Sequence, residues 1–324
     1  MSVGTVSGRV ARVAVITPAF NDWACLPSFF AGLDAVAPLV GEVHLFVIDD
    51  GSTDALDLDF IVVPGALASV EVVHLGCNLG HQRAIAAGMA EVVNRDHFDV
   101  VIVIDVDGED NPLDITKLWH EHLANPEAIV VAQRRGRSEA IRFRLFYSLY
   151  KWLFRALNGR RLDFGNFALL PIAMAQRLVL MTELWNHFPA AVMRSRIRVV
   201  KVPLDRQERS VGRSRMNFTA LVNHGLAGIA AFIDTVFVRL LVFVGLFALL
   251  VATAGGFALI ATLLTSAPIS GWLATALGLG LLGLLQMLAV LVVVTFLTLS
   301  SRSVASPPPS QVARKYIASS ERIR

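Results

Sequence analysis

Four runs of aliphatic and β-branched residues, Val10 to Thr17, Val43 to Ile48, Val70 to Leu75 and Val100 to Ile104, are each bounded by turn-forming residues. Runs of that length and composition read as strands, and helix-length segments separate several of them. The alternation predicts an α/β fold on a parallel sheet, a design that binds ligands at the carboxyl ends of its strands. Polar clusters fall at those ends: Thr17 to Asp22, Asp49 to Asp54, and Asp105 to Asp110.

In the last third the pattern changes. Roughly sixty consecutive residues, Leu240 to Ser301, contain no Asp, Glu, Lys, Arg or His, with one break near Ser266 to Gly271. That length holds two helices of the ~20 residues needed to cross a bilayer. The expected division is a polar domain over 1–215, a juxtamembrane helix over 216–238, two spans over about 239–264 and 272–299, and a tail over 301–324. Pro307 to Pro309 make the tail read as a loose cytoplasmic linker. Ala252 with Gly256 and Ala276 with Gly280 have the small-xxx-small spacing that lets helices approach closely, and would also let copies of the chain associate through the bilayer. A segment over 140–157 mixes Phe143, Phe146, Tyr147, Tyr150, Trp152 and Phe154 with Arg142, Arg144, Lys151 and Arg155. Its spacing suits an amphipathic helix, either in the headgroup plane or packed on the sheet.

Of the 324 residues 55% are hydrophobic, an excess that comes largely from the C-terminal third. The net charge of +3 admits nucleic acid as a partner, but the basic residues cluster beside aromatics and the apolar hairpin, so the expected partner is a lipid bilayer and not nucleic acid. Arg213, Arg215 and Arg239 precede the hairpin, Arg302, Arg314, Lys315, Arg322 and Arg324 follow it, and its turn carries none. Both termini and the polar domain are therefore expected on the cytoplasmic side of the membrane. Met1 to Arg12 has no apolar stretch that would read as a cleavable signal. Cys25 and Cys77 lack metal-type spacing, which fits a reducing compartment and argues against a disulfide framework or a zinc site.

Asp105 and Asp107 end a strand, one residue apart, where two carboxylates repel unless a cation lies between them. A hard divalent ion such as Mg²⁺ or Mn²⁺ on a diphosphate relieves that repulsion through oxygen ligands. The Asp49-Asp50 pair at a second strand end puts more acid in the same crevice.

Six stretches then resemble one family in order along nearly the whole chain: Val15 to Asp22, Val47 to Asp54, Asn78 to Gly88, Ile104 to Pro112, Asp163 to Phe167, and Arg209 to Ser214. The chain resembles the inverting family 2 glycosyltransferases of GT-A fold, and among them the polyprenyl-phosphate glycosyltransferases that include dolichol-phosphate mannose synthases and bactoprenol glucosyltransferases. The resemblance implies a nucleotide-sugar donor, a polyprenyl phosphate acceptor and a divalent metal. It places Pro18, Asn21, Asp22, Asp49 and Asp50 in the nucleotide pocket, with Gly80 and His81 opening the helix beside the donor. Asp105 and Asp107 would hold the metal and the sugar diphosphate, with Glu109 as a third ligand. Arg134, Arg144 and Ser148 would grip the acceptor phosphate, and the loop with Arg206, Arg209, Gly212 and Ser214 would close over the diphosphate.

The family's usual Asp-x-Gly-Asp-Phe-Arg reads Asp163-Phe-Gly-Asn-Phe-Ala here, so Asn166 replaces a carboxylate often given the role of base and Ala168 an arginine. An amide accepts no proton, which leaves Asp163 as the remaining carboxylate. A phosphomonoester, with a second pKa of ~6, is already largely dianionic at neutral pH and attacks without a strong base. Two rivals stand beside transfer to a lipid phosphate: transfer to a sugar or lipid hydroxyl, and a catalytically weak scaffold for a sugar-lipid flippase. A processive polymer synthase is disfavoured, since no Gln-x-x-Arg-Trp segment occurs.

Overall fold

The computed structural model describes residues 5–6, 8–55, 63, 65–95, 97–135, 154–159, 162–205, 218–265, 270–303 and 307–324. They form two compact units: Met1–Ser148 with Leu162–Ala231 and Ser306–Arg324, and Leu149–Arg161 with Phe232–Ala305.

The first unit is built on an eight-stranded sheet. After a short hairpin, β1 (Thr5–Val6) with β2 (Arg9–Val10), come β3 (Arg12–Ala19), β4 (Glu42–Asp49), β5 (Ser69–Leu75), β6 (Val100–Val103), β7 (Ile129–Arg135), β8 (Ala168–Pro171), β9 (Val199–Asp205) and β10 (Ile317–Arg322), in the spatial order β10-β5-β4-β3-β6-β8-β7-β9. The four strands expected from the sequence, β3 to β6, are mutually parallel where they pair, so their carboxyl ends share one edge. β8 runs antiparallel between β6 and β7, and β10 antiparallel on β5, which makes the sheet mixed.

Alternate residues of each strand point to opposite faces, and both faces are covered. Val13 and Val15 join a core with α1 (Leu26–Val40) and α3 (Ile115–Ala124). Ala14 and Ile16 face α2 (His81–Asn94), α4 (Ile172–Leu178) and α5 (Phe188–Arg194). Gly88 brings α2 close to the sheet, because a Cβ there would lie 2.7 Å from Ile48 and 2.8 Å from Ile16.

The tail is not a loose linker. Residues 307–324 fold back on the first unit: Trp185 Nε1 donates to the Pro307 carbonyl (3.1 Å), α9 (Pro309–Val312) starts with proline in its first turn, and Ala313 is buried. The chain then runs as β10 along β5, with Gly76 N donating to Tyr316 O at 2.8 Å. Without it β5 would present an unpaired row of backbone groups, and this pairing removes that edge.

The domain boundaries also shift. Instead of one juxtamembrane helix over 216–238, α6 (Phe218–Ala230) stops before a turn at Ala231, whose carbonyl accepts from Arg194 Nη1 (2.7 Å). The second unit then opens with α7 (Ile233–Thr265) and continues with α8 (Gly271–Ser303), 33 residues each. At 1.5 Å per residue these are about 50 Å long, against a hydrocarbon core of about 30 Å, so each extends beyond the lipid at an end. Thr253, Thr262, Thr295 and Thr298 donate their hydroxyls to carbonyls three or four residues back, which keeps these groups satisfied in hydrocarbon. On the seam, Gly280 faces Val251, Gly283 the Phe247 ring and Gly255 the Leu277 side chain, while Gly256, expected there, has nothing near its Cβ direction. Arg239 Nη1 donates to the Ala156 carbonyl (2.6 Å), covering the end of a helical turn over 154–158. The rest of the aromatic segment over 140–157 lies outside the described residues.

Candidate functional site

The carboxyl ends of β3, β4 and β6 bring three loops together. Asn21 follows β3 with φ +54°, a conformation Asn tolerates better than most residues. Its Oδ1 accepts from Thr53 N (2.8 Å) and Asp54 N (3.0 Å), and its Nδ2 donates to Thr53 Oγ1 (2.9 Å). Asn21 thereby ties the β3 end to the β4 end, and Trp23 Nε1 adds a bond to the Asp54 carbonyl. Pro18 is the penultimate residue of β3, opposite Ile48, and Asp22 leads into a short 3₁₀ turn.

Both acids of the β4 pair are buried and hold backbone. Asp49 accepts from Ser52 N (2.8 Å) and bonds the His74 ring through Nδ1 (2.8 Å). Asp50 accepts from Leu79 N (2.7 Å) and Gly80 N (2.9 Å), so it fixes the loop that opens α2. Burial pushes the Asp50 carboxyl above its usual range, although those two N–H donors and His81 pull the other way. Gly51, at φ +70°, lets the two loops meet: a Cβ there would lie 2.7 Å from Asn78 N.

The β6 end carries the acid-x-acid turn. Asp105 faces His81, with Oδ1 3.2 Å from Nε2, and its Oδ2 lies 3.4 Å from Asn166 Nδ2. Asp107 Oδ1 accepts from Glu109 N at 3.1 Å. Burial lowers the His81 pKa, but the charge of Asp105 and the bond to it, with Asp107 and Asp50 beyond, outweigh burial and hold it above 6.5. The side chain as a whole is 46% exposed, so the burial acts on the ring edge that meets Asp105.

Among the described residues no three His, Cys, Asp or Glu side chains converge as a metal-holding group, so the expected trio of Asp105, Asp107 and Glu109 is not assembled. Glu109 contributes its backbone N–H to Asp107. Two aspartates on one turn still suit a hard cation whose other oxygens come from phosphate, the arrangement Mg²⁺ favours. The donor set thus fits a diphosphate-bound ion held by Asp105 and Asp107.

Asp163 lies elsewhere in its contacts. Its oxygens take the Lys201 ammonium (2.7 and 2.9 Å) and Gln133 Nε2 (2.8 Å), which ties β7 and β9 together. Asn166 is the member of that stretch at the acidic turn, buried, with Nδ2 also 3.0 Å from His81 Nε2. Arg134 is on β7, opposite Leu204 of β9. Arg144, Ser148, Arg206, Arg209, Gly212 and Ser214 lie outside the described residues. Sequence reasoning did not single out His74, Lys201, Gln133 or Gln82, because polar side chains at strand ends and in first helical turns carry no pattern that separates them from solvated ones.

A cavity of about 450 Å³, lined by Asn125, Arg177, Arg196 and Arg198 among others, sits at the amino ends of β7 and β9, opposite the acidic loops. Cavity size does not mark the convergence point here.

The central mixed sheet carries its acidic loops on one carboxyl edge, an α/β arrangement of the kind that binds ligands there. The glycosyl transferase family 2 model matches residues 14–182, just over half the chain, and the chain belongs to that family. Undecaprenyl-phosphate 4-deoxy-4-formamido-L-arabinose transferase of Klebsiella pneumoniae subsp. pneumoniae is 25% identical over 222 residues, covering 66% of this chain and 65% of that protein. The protein of the same name from an Enterobacter species is 25% identical over 224 residues, with the same coverage. The chain therefore spans slightly less than two thirds of these curated relatives. Glucosyl-3-phosphoglycerate synthase from Mycobacterium tuberculosis, solved with Mn²⁺, uridine diphosphate and glucosyl-3-phosphoglycerate, superposes with a TM-score of 0.50 at 18% identity, covering 69% of this chain and 80% of that one. At that identity the likeness establishes the fold.

Proposed function

We propose that this chain transfers a sugar from a nucleoside-diphosphate sugar to a polyprenyl phosphate, with inversion, at the cytoplasmic face of the inner membrane. The observation that carries it is the meeting of Asp105, Asp107, His81 and the Asp50-held Gly80 loop at one sheet edge, in a chain that also has two apolar helices of 33 residues. The names of the curated relatives support the lipid phosphate, and the Mn²⁺ and uridine diphosphate of the structural neighbour support a metal-bound diphosphate donor.

Asp105 and Asp107 would hold a divalent ion, Mg²⁺ or Mn²⁺, which neutralises charge on the departing diphosphate. The loops pinned by Asn21, Asp49 and Asp50 would seat the nucleotide. The loop with Arg206, Arg209 and Ser214 would close on the diphosphate, while Arg134, Arg144 and Ser148 position the acceptor phosphate. The acceptor oxygen forms the new bond to the anomeric carbon as the bond to the nucleoside diphosphate breaks. An ionised acceptor needs no base, in keeping with an amide at Asn166 and with Asp163 occupied by Lys201.

The test is incubation of detergent-purified protein with a panel of nucleotide sugars, undecaprenyl phosphate and Mn²⁺ or Mg²⁺, with products read by mass spectrometry. A sugar-phosphate lipid that disappears with chelator supports the reading and identifies the donor. Turnover only with hydroxyl acceptors would replace it.

A further inference from the structure

Gln82 links three elements at the acidic turn. It sits in the first turn of α2, its Oε1 accepts from Phe188 N at the start of α5 (2.6 Å), and its Nε2 donates to Asn166 Oδ1 (3.1 Å). A side-chain amide can be turned end for end, so its polarity normally has to be argued from its neighbours. Here one neighbour is a backbone N–H, which only donates. It fixes the Gln82 oxygen toward Phe188, hence the Gln82 NH₂ toward Asn166, hence the Asn166 oxygen toward Gln82. The Asn166 NH₂ is then left facing Asp105 Oδ2 and His81 Nε2.

We infer that Gln82 is a positioning residue that locks the Asn166 amide with its NH₂ toward Asp105, so that position 166 presents a hydrogen-bond donor, and no oxygen, to the carboxylate turn. This rests on the proposed transferase reading for its role in turnover, and on geometry alone for the lock itself. With the oxygen of Asn166 held by Gln82, the amide donates to Asp105 Oδ2 (3.4 Å) from the side. The opposite polarity would set oxygen against oxygen at Asp105 while offering an acceptor to the His81 Nε2–H at 3.0 Å, so it is the bond to Gln82, and not His81, that holds the amide in this sense.

Gln82→Glu tests the lock with almost no change of shape. The glutamate keeps an oxygen for Phe188 N–H but replaces the donor that faces Asn166 with an acceptor. Either two oxygens then meet near Asn166, or Asn166 turns over and its oxygen meets Asp105. Asn166→Ala removes the amide and with it both conflicts, so a glutamate carboxylate is present in both backgrounds while the polarity conflict exists in only one.

The experiment is a double-mutant cycle on the full chain in detergent: wild type, Q82E, N166A and Q82E/N166A. Metal-free thermal unfolding is one readout. Mn²⁺ affinity by electron paramagnetic resonance and transfer to undecaprenyl phosphate are the others. The expected result is a Tm loss from Q82E several degrees larger in the wild-type background than in the N166A background, with turnover falling at least tenfold in the first and little in the second. Equal Tm losses in both backgrounds, or none in either, overturn the lock. Absence of transfer by the wild type would overturn the transferase reading and leave the Tm cycle to decide the lock. A Tm cycle as expected, with turnover unchanged by Q82E, would overturn the positioning role.

Discussion

At Gly51 two acidic-end loops approach within backbone contact. The residue has φ +70°, and the atoms a side chain would strike are Asn78 N and the Cys77 backbone, which cannot swing aside. Gly51→Ala should therefore displace the Asn78–Gly80 loop that Asp50 holds, at a cost of about 1–2 kcal/mol from the backbone conformation alone. The expected outcome is lower thermal stability, read by thermal unfolding, and, on the proposed function, weaker binding of whichever donor nucleotide the transfer assay identifies. Asp107→Ala, by contrast, removes a carboxylate at the crevice turn and should leave a folded protein, checked by thermal unfolding, while the metal-dependent turnover of the proposed reaction is lost. Full activity in a folded Asp107→Ala protein would rule out its metal role. At this scale the sequence displayed acids at strand ends and even their clustering, because buried carboxylates in hydrophobic surroundings are rare enough to be conspicuous. It did not display that Asp50 is engaged by the Leu79 and Gly80 N–H groups, or that Lys201 occupies Asp163. Such pairings depend on strands far apart in the chain and leave no local period.

Among elements, composition alone does not separate a membrane helix from a buried one. The stretch Trp23–Val40 reaches a mean hydropathy of 1.5 over 18 residues, yet α1 buries Leu26, Phe29, Phe30, Leu33, Val36, Ala37 and Val40 under the sheet. The two later helices reach 2.6, and their large apolar side chains stay exposed within the chain, so lipid is the medium that suits them. Strands β3 to β6 were legible because hydrophobic runs bounded by turns are a local signal. The β10 strand, Ile-Ala-Ser-Ser-Glu-Arg, has no such run and is drawn into a strand by the open edge of β5. Its attachment includes Glu71, which takes Arg95 with both oxygens and the Ser320 hydroxyl. Burial alone would raise the Glu71 pKa, but these partners outweigh it and hold the value below the usual 4.5. A carboxyl depressed on folding contributes stability that is full above 4.5 and is lost as pH falls through its folded value. Thermal unfolding followed from about pH 6 to about pH 3 should show a steeper acid loss in wild type than in Glu71→Gln. In the α2 interface, Gly88→Ala should cost roughly 1–3 kcal/mol, since Ile16 and Ile48 are packed on all sides, and a shift in the urea midpoint would measure it.

For the molecule as a whole, the sheet-bearing unit contains chain from both sides of the hairpin. Deleting residues 307–324 should leave membrane insertion intact, because α7 and α8 carry the apolar surface, while unfolding of the first unit moves several degrees lower. Carbonate extraction of membranes checks the first outcome and thermal unfolding in detergent the second. The same threading sets an order of events during synthesis. β10 leaves the ribosome only after both apolar helices have been made, so β5 is without its neighbour while the hairpin is being delivered to lipid. Translation thereby makes both apolar helices before the sheet edge can close, and a chain halted at that stage would meet water with that edge still open to other strands.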